Sequence, residues 1–526
     1  MRERKKYFKD EKKLDTLIQA FFGLMMAAIV GICLCLPWIL YARKRETLPN
    51  VLLLPLGILA AYAIVRGVRR LIQAVRPEQR KAVWIICSLA ALMIQLVMVH
   101  SYYFYTDWDV ETIVESAMAA ATGADISKHG NYFSMCPNNL VLVTLFGWVV
   151  RIAYALGMAE HAYFALLVFQ CVICWATGML MCMLAHHLLQ SDELTAAVWV
   201  FYQLLVGISP WISIPYSDSV ALIFPVALLA VAFLMPKTGA KGVLRLFLLA
   251  FLAYFGYRIK PQILIVFMAL CLYGAVHLVL GGRLERHSPA VCLWRGCGLA
   301  AGLLCAVLLA NAMADDVNVP INKEKTLGIT HYLMMGMNPE EFGVFAQRDV
   351  SLSWWCETNE ERTQKNLEVF AERVREMGPT GVFKQLMRKT LTNFNDGTFC
   401  WAGEGKFYRE ILEETNQVLS PVLRSVYYSN GGKAYPVWAN FAQMIWMGVL
   451  ALAACSSLGR RDARMSVIML SLIGLTIFET VFEARARYLF CFAPLFIILA
   501  ASGMRQMAQW GSRIRAARQK KADKDF

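Results

Sequence analysis

Charge is scarce in this chain of 526 residues, because Asp, Glu, Lys and Arg make up only 17% of it while hydrophobic residues make up 58%. Soluble domains hold about 25% charged and roughly 45–50% apolar residues, so the composition excludes a soluble globular protein. Runs of about 20 apolar residues form helices in a bilayer, where every backbone polar group must be hydrogen-bonded internally. The sequence therefore predicts an all-α polytopic membrane protein.

Acidic residues are in short supply, with 38 Asp and Glu against 52 Lys and Arg. The excess positive charge lies in short segments between apolar runs, the pattern typical of cytoplasmic loops, so we expect no nucleic-acid partner. Residues 1–13, the loop 66–81 and the tail 505–524 are basic. They predict cytoplasmic termini in a multi-pass plasma-membrane protein. The first apolar segment, 14–41, exceeds the roughly 7–15 residues of a signal-peptide core, and we expect it to remain as an anchor.

Zinc-type spacing is missing from the 15 cysteines, most of which lie inside apolar runs and behave there as small hydrophobic side chains. Cys356 and Cys400 fall in a polar segment that we expect outside the membrane. They could form a disulfide or remain two free thiols, because spacing alone does not determine connectivity.

No internal repeat is visible, which disfavours an inverted-repeat transporter. Thirteen apolar runs can be marked, yet two cytoplasmic termini require an even number of crossings. Either 162–189 forms two short crossings, or a run near Tyr216 enters the membrane and returns; fourteen crossings are favoured over twelve. The expected organisation is a cytoplasmic N-terminus with an accessory hairpin and basic loop (1–81), a membrane module (82–313) with an outer loop at 105–139, an extracytoplasmic loop (314–436), C-terminal spans (437–503) and a cytoplasmic tail (504–526).

Two carboxylates, Asp107 and Asp109, follow the apolar run 82–105 where it reaches the outer face. At i, i+2 spacing they share a face of an extended chain, and a carboxylate beside apolar membrane suits a general base acting on a hydroxyl. Alternatively, Asp109 only caps the helix that begins at Val110. That helix has an apolar and a polar face, and we expect it to lie along the membrane surface.

Basic residues interrupt apolar sequence at two further places on the expected outer face. Arg258 and Lys260 break the stretch 244–280, and Arg485 and Arg487 lie between the last two spans. Such charges either bind an anion such as a lipid phosphate or simply reach the interface. Glu483 and Arg487 could neutralise each other as an i, i+4 pair on a helix end.

Aromatic and polar residues near these charges could bind a substrate. Tyr216 and Asp218 follow Trp211 at one membrane face, where the aromatic rings could stack on a sugar or anchor the chain at the interface. His331 could act in catalysis or serve as a structural hydrogen bonder.

In its motifs and their order the chain resembles the GT-C superfamily of integral membrane glycosyltransferases, most nearly a Gram-positive cell-envelope branch. The resemblance covers about residues 82–500 and rests on Asp107-Trp108-Asp109, Asn131-Tyr132-Phe133, Pro137-Asn138-Asn139, Tyr216-Ser217-Asp218, Lys260-Pro261, the stretch from His331-Tyr332 to Gly336, and Glu483-Ala484-Arg485-Ala486-Arg487-Tyr488. It implies a bundle of about 12–14 transmembrane helices with a surface helix in the first large outer loop and a long outer loop before the last three spans. The hairpin at 14–65 and the lack of an outer soluble C-terminal domain depart from that pattern.

The resemblance further implies a hexosyltransferase that moves a sugar from polyprenyl phosphate to a hydroxyl of an envelope glycan, lipid or protein, inverting the anomeric carbon at an extracytoplasmic site. The implied roles are catalysis by Asp107 and Asp109, phosphate binding by Lys260, Arg258, Arg485 and Arg487, and substrate binding by Asn138, Asn139, Tyr216, Asp218, His331 and Tyr488. A Mg²⁺ or Mn²⁺ ion could bind at Asp107 and Asp109, since these ions prefer oxygen ligands. The alternatives are a transporter or flippase of lipid-linked glycans, or a non-enzymatic envelope-assembly protein.

Overall fold

The computed structural model describes residues 2–40, 47–102, 104–281, 288–403, 410–411, 415–459 and 461–522. It is helical almost throughout, which confirms the all-α polytopic prediction. The first fourteen helices are α1 (Arg2–Cys35), α2 (Pro37–Leu40), α3 (Asn50–Ala74), α4 (Arg80–Ser101), α5 (Trp108–Thr122), α6 (Gly130–Met135), α7 (Asn139–Ala155), α8 (Ala162–Leu189), α9 (Asp192–Tyr202), α10 (Ser217–Ala221), α11 (Ile223–Leu234), α12 (Gly239–Ile259), α13 (Leu264–Gly281) and α14 (Pro289–Asp316).

In the second part of the chain, the described residues form seven helices and one short strand. The helices are α15 (Ile329–Gly336), α16 (Gln347–Trp355), α17 (Asn359–Phe394), α18 (Leu419–Tyr427), α19 (Tyr435–Cys455), α20 (Ala463–Val481) and α21 (Ala493–Ala522). Strand β1 (Phe104–Tyr105) pairs antiparallel with β2 (Glu410–Ile411). This pair joins the chain just after α4 to the polar segment that precedes α18.

Eleven helical segments in the described residues are long and apolar enough to cross a membrane. They are Lys13–Cys35, Asn50–Ala74, Pro77–Ser101, Ala159–Leu189, Ser217–Leu234, Gly239–Ile259, Pro261–Val279, Pro289–Asp316, Tyr435–Leu458, Ala463–Val481 and Ala486–Ala516. The segment Ala159–Leu189 includes all of α8, which is one unbroken helix of 28 residues. The expectation that 162–189 could form two short crossings is therefore wrong.

Helix α7, which the hydropathy pattern marks as a crossing, begins and ends at the same end of the bundle. At its C-terminal part, Arg151 donates to the carbonyl of Ala120 in α5 and lies 3.4 Å from Asp316 at the end of α14. The next helix, α8, starts beside the end of α4, because Tyr163 donates to the carbonyl of Phe104. We call this the site end of the bundle. Helix α7 thus packs along α5 and leaves the chain at the site end.

The stretch α9 plus its π-helical continuation Gln203–Gly207 runs the full depth of the bundle. At its start, Asp192 and Glu193 lie within 4 Å of Arg80 and Arg69, at the end opposite the site. Just beyond its end, Ile208 accepts a hydrogen bond from Tyr427 at the site end. Helix α7 is not one of the eleven segments, and adding α9 to them makes twelve that connect the two ends in the described chain. This even number places both termini at the end opposite the site.

Basic residues gather at that opposite end, as the charge pattern predicts. Arg464 lies 3.1 Å from the ring nitrogen Nε2 of His187, Arg505 donates to the carbonyl of Leu189, and Arg245 donates to the carbonyl of Ala232. These contacts satisfy carbonyl groups near helix ends that have no partner within their own helix. These arginines therefore help to close this end of the bundle.

The polar segment 317–434 folds over the site end as helices α15 to α18. Its longest helix, α17, is kinked at Gly378, whose φ of +59° is left-handed, and Pro379 follows. Proline lacks the N–H that would continue the helix, so the kink has a direct cause. Cys356 is a free thiol 3.5 Å from the carbonyl of Leu352, so it is not bonded to Cys400.

Three buried amides attach the N-terminal hairpin to the rest of the bundle. Asn50 donates to Asn395 over 2.6 Å, and Gln443 donates to Asn50 over 2.9 Å. Asn50 and Gln443 are almost fully buried. A side-chain amide in such a place stabilises the fold only while its partners remain. The hairpin at 14–65 is therefore an integral part of the bundle.

We expect Gln443→Leu to lower the free energy of unfolding by about 2 kcal/mol, because it removes the donor to the side-chain oxygen of Asn50 and the acceptor for the N–H of Gly397. The thermal unfolding temperature of the purified protein in detergent measures this loss. Gln509→Leu, at an exposed position of α21, is the control. Equal unfolding temperatures for the two variants would contradict the role given to the amides.

Candidate functional site

Polar side chains from six separate parts of the chain meet at the site end. They come from the start of α5, the turn before α7, the turn that leads into α10, the residue after α12, helix α17, and the end of α20 with the residues that follow it. We call residues 482–488, between α20 and α21, the arginine turn. Because these parts lie as far as 380 residues apart in sequence, only the folded bundle brings them together.

Trp108, between the two aspartates, has a strained backbone. Its φ of +63° lies in the left-handed region, which a bulky side chain adopts only when its surroundings hold it there. The indole ring packs at 5.0 Å from the ring of Tyr216, and the guanidinium carbon of Arg487 lies 4.5 Å from the indole centroid. Strain of this kind clusters at functional sites, and here it presents the Trp108 ring to Arg487.

Asp109 faces the centre of the site, whereas Asp107 does not. Tyr216 donates its hydroxyl hydrogen to Oδ2 of Asp109 over 2.9 Å, and the Asp109 charge acts on Tyr132, Cys136 and Tyr332 as well. Asp107 is the residue before the first turn of α5 and makes no hydrogen bond or ion pair within the described chain. Asp109 lies inside the first turn, so the alternative that it caps a helix beginning at Val110 is wrong.

The turn before α7 contributes an amide and phenol network. Asn138 donates to Asn139, and Asn139 donates to the hydroxyl of Tyr132 over 2.6 Å. Burial, and next the nearby Asp109 charge, raise the pKa of Tyr132 well above its usual value, so the phenol stays protonated. Tyr332 of α15 has a pKa raised mainly by burial. These neutral groups line the side of the site next to Asp109.

Lys260 and Asp218 form a buried ion pair. Their side chains are 5% and 1% exposed, and Nζ lies 2.5 Å from Oδ1. Lys260 also lies 5.0 Å from the centroid of the Tyr488 ring. Glu479, in the last turn of α20, is fully buried, neither of its oxygens has a hydrogen-bond partner in the described chain, and it interacts electrostatically with Lys260. The ion pair and Glu479 together form the deepest polar layer of the site.

The arginine turn brings cations to the same place. Tyr488 donates to Glu483 over 3.0 Å, and Arg485 lies 3.9 Å from the other Glu483 oxygen. The guanidinium carbon of Arg487 lies 5.5 Å from the ring centroids of both Tyr216 and Tyr488. Residues 483–485 are not helical, so Glu483 and Arg487 do not lie together on a helix end as expected. Instead Arg487 stands among aromatic rings beside Asp109.

Two residues expected at the site lie elsewhere. Arg258, two residues before Lys260, is half-buried and donates to Asn311 of α14 over 3.0 Å. The Nδ1 atom of His331 lies 2.7 Å from the Ser353 hydroxyl inside the polar segment. Burial lowers the pKa of His331 to about 4, so the ring is neutral at physiological pH. The structure therefore gives His331 the surroundings of a structural hydrogen bonder.

Trp211 does not face a ligand space. It is fully buried, packs against Trp401, and donates to the carbonyl of Thr398 over 3.1 Å. Neither sugar stacking nor anchoring at the membrane interface fits this position. Tyr216, five residues later, is the aromatic residue of this turn that reaches the site.

Lys389 of α17 belongs to the site although no motif indicates it. It is fully buried, and its Nζ donates to the carbonyl of Phe482 over 2.5 Å, at the start of the arginine turn. Burial lowers its pKa to about 7, and the nearby Glu479 and Glu483 oppose that shift. In sequence Lys389 is one of many charges in a long polar helix, so only the fold distinguishes it.

A divalent cation bound by both Asp107 and Asp109 stays a prediction. In the part of the chain that the structure describes, no group of three or more His, Cys, Asp or Glu residues could hold a metal ion. Asp109 is held by Tyr216, while Asp107 lies outside the cluster of polar contacts. Mg²⁺ usually keeps several waters and binds through one or two carboxylates together with substrate phosphates. We derive no step through a metal.

The site holds four acidic and four basic side chains. The groups are Asp109, Asp218, Glu479 and Glu483 on one side and Lys260, Lys389, Arg485 and Arg487 on the other. Such a site can place a general base beside a cationic surface, and an incoming anion would meet arginine, which suits the geometry of phosphate oxygens.

Comparison with known families places nearly the whole chain in one of them. The family model described as a conserved hypothetical integral membrane protein matches residues 11–508. These residues include all segments that form the site and the N-terminal hairpin. The comparison with curated proteins finds no match.

Proposed function

The chain belongs to the conserved hypothetical integral membrane protein family, and we propose that it is a membrane glycosyltransferase. In this proposal it moves a sugar from a polyprenyl-phosphate donor to a hydroxyl of a cell-envelope acceptor. The supporting observation is that Tyr216 contacts both a carboxylate and a guanidinium group. Its hydroxyl lies 2.9 Å from Asp109, and its ring lies 5.5 Å from the guanidinium carbon of Arg487. A base and a phosphate-binding group within reach of one small substrate are what this reaction needs.

In the proposed reaction Asp109 removes the proton from the acceptor hydroxyl as its oxygen attacks the anomeric carbon of the donor. The bond from that carbon to the phosphate oxygen breaks, and its electron pair stays on the phosphate. Polyprenyl phosphate leaves as a monoester, and the sugar configuration inverts because attack and departure occur on opposite faces. Tyr216 holds one Asp109 oxygen, while a carboxylate has further acceptor positions for the substrate proton.

Arg487 is the strongest candidate for the donor phosphate, and Arg485 is the second. The faces of Trp108, Tyr216 and Tyr488 surround the Arg487 guanidinium, and such ring contacts orient a planar cation whose geometry suits phosphate oxygens. The charge on the phosphate rises as the sugar leaves, so these cations stabilise the transition state more than the ground state. Lys260 is already paired with Asp218, and we assign it to the support of the site.

We propose that the site end faces outward and both termini face the cytoplasm. The basic cluster at the opposite end supports this orientation, because cytoplasmic loops of membrane proteins are enriched in Lys and Arg. A fluorescent reporter that folds only in the cytoplasm should be bright when fused after residue 526 and dark when inserted at 340–341 in the polar segment. The reverse pattern would contradict the orientation.

The transfer reaction itself tests the proposed function. The purified protein in lipid nanodiscs receives polyprenyl-phosphate sugars with a labelled sugar, together with envelope acceptors. The expected result is label in the acceptor and unlabelled polyprenyl phosphate in the lipid fraction. Intact donor throughout, with movement of labelled lipid between leaflets when the protein is placed in vesicles, would instead indicate a transporter of lipid-linked glycans.

A further inference from the structure

Three hydrogen bonds connect the polar segment to the arginine turn and to the end of α20 just before it. Lys389 of α17 donates to the carbonyl of Phe482 over 2.5 Å. The backbone N–H of Ala484 donates to the carbonyl of Gly343 over 2.8 Å, and Asn393 donates to the carbonyl of Glu479 over 3.1 Å. The backbone before and within the turn is therefore hydrogen-bonded to an element far away in sequence.

Close packing leaves no room for the turn to shift toward the polar segment. A Cβ atom on Gly336 would lie 2.6 Å from the carbonyl carbon of Phe482, so only glycine allows this approach. Gly343 has a φ of +76°, and a Cβ atom there would lie 3.0 Å from the Lys389 side chain. The backbone of Phe482 is thus held between Gly336 on one side and the Lys389 ammonium on another.

A lysine at such a buried position calls for an explanation beyond packing. Its side chain is fully buried, and burial of an ammonium group costs free energy unless it is paired or hydrogen-bonded. A Met or Leu side chain would fill the same space without that cost. What lysine adds is a charged donor that the carbonyl of Phe482 accepts, and a cation facing Glu479 of α20 and Glu483 of the turn.

We propose that Lys389 is a positioning residue that fixes the arginine turn, so that Arg485 and Arg487 meet the donor phosphate in one orientation. This inference rests on the proposed function, and it assigns to the polar segment a part in donor binding. Because Lys389 lies in α17, a ligand that shifts α17 would also shift Arg485 and Arg487. The carbonyl of Phe482 lies three residues before Arg485, so its loss as an anchor would let the turn rotate.

The pH dependence follows from the charge of Lys389. A charged donor forms a stronger hydrogen bond than a neutral one, and the pKa of Lys389 is lowered to about 7 by burial. The charged form, and with it the tight anchor, is present below about pH 7 and is lost as the pH rises above it. The facing groups are Glu479 and Glu483, whose negative charges favour the protonated amine.

Lys389→Met in nanodiscs tests the proposal with two independent measurements. We expect the KM for the polyprenyl-phosphate donor to rise about tenfold with little change in kcat, as expected for loss of a charge-assisted hydrogen bond that positions the donor site. We also expect the rise in KM of the wild type between pH 6 and 8 to disappear in the variant. Lys389→Gln, which keeps N–H donors without the charge, should lie between the two, and the exposed Lys384→Met should match the wild type.

Hydrogen exchange of the peptide that contains residues 482–488 reports on the turn without any assay of activity. Faster exchange there in Lys389→Met than in Lys384→Met, with equal exchange elsewhere, supports the proposal. Unchanged exchange overturns it, as does an unchanged donor KM in an active protein. If the wild type transfers no sugar, the proposed function fails, while the exchange comparison still decides whether Lys389 holds the turn.

Discussion

Asp109→Asn should reduce kcat for sugar transfer about a thousandfold, within the range that a lost general base produces. An amide keeps the shape of the side chain and can still accept from the Tyr216 hydroxyl, but it does not take the proton of the acceptor. Binding of the donor should persist, because the proposed phosphate site is the arginine turn, which this substitution leaves unchanged. The measurement is single-turnover transfer in nanodiscs at saturating donor and acceptor.

Two variants make the Asp109 result specific. Asp125→Asn removes an exposed carboxylate from the same loop, where Asp125 bonds only to nearby Ser127 among the described contacts, and we expect a rate within twofold of the wild type. Asp107→Asn should cost clearly less than Asp109→Asn, because Asp107 lies outside the polar cluster. A larger loss in Asp107→Asn would show that the carboxylate nearer α4 is the base.

Arg487→Gln should raise the KM for the polyprenyl-phosphate donor about thirtyfold, as expected for the loss of roughly 2 kcal/mol of charge-assisted hydrogen bonding. It should lower kcat as well, because the phosphate gains charge during the reaction. Both changes should come from the loss of a single cation, because Arg487 lies among the rings of Trp108, Tyr216 and Tyr488. Initial rates over a range of donor concentrations measure both constants.

Arg487→Lys should restore little, because an ammonium group neither spreads over the indole ring nor binds two phosphate oxygens at once. Arg151→Gln serves as the control, since Arg151 is an exposed arginine at the same end of the bundle with its own partners in α5 and α14. Full activity in Arg487→Gln would contradict the assignment of the phosphate site.

Composition and hydropathy were sufficient to predict the membrane class, because the need to bury backbone polar groups in lipid leaves few solutions. They failed at α7, which is as apolar as a crossing yet returns to the site end. Its apolar faces pack against α5, α8 and α14, and hydropathy does not distinguish lipid from protein as the apolar surroundings.

Some residues of the site could be predicted from the sequence, and others only from the fold. Residues in short motifs near run ends, such as Asp109, Tyr216, Lys260 and Arg487, could be singled out because charge is scarce there. Lys389 could not, since charge is common in α17 and its neighbours come from α20 and the arginine turn. The separation of Asp109 from Asp107 also needed the structure, because it depends on the left-handed backbone of Trp108, which no spacing rule predicts.

The role of Asp109 is tested most directly by the release of polyprenyl phosphate from its sugar-linked form. Mass spectrometry of the lipid fraction in nanodiscs measures this release. We expect wild-type protein with an acceptor to produce the monoester, and Asp109→Asn to produce about a thousandth as much in the same time while still binding the donor. Equal amounts of monoester from wild type and Asp109→Asn would contradict the central claim that Asp109 and Arg487 form one transfer site.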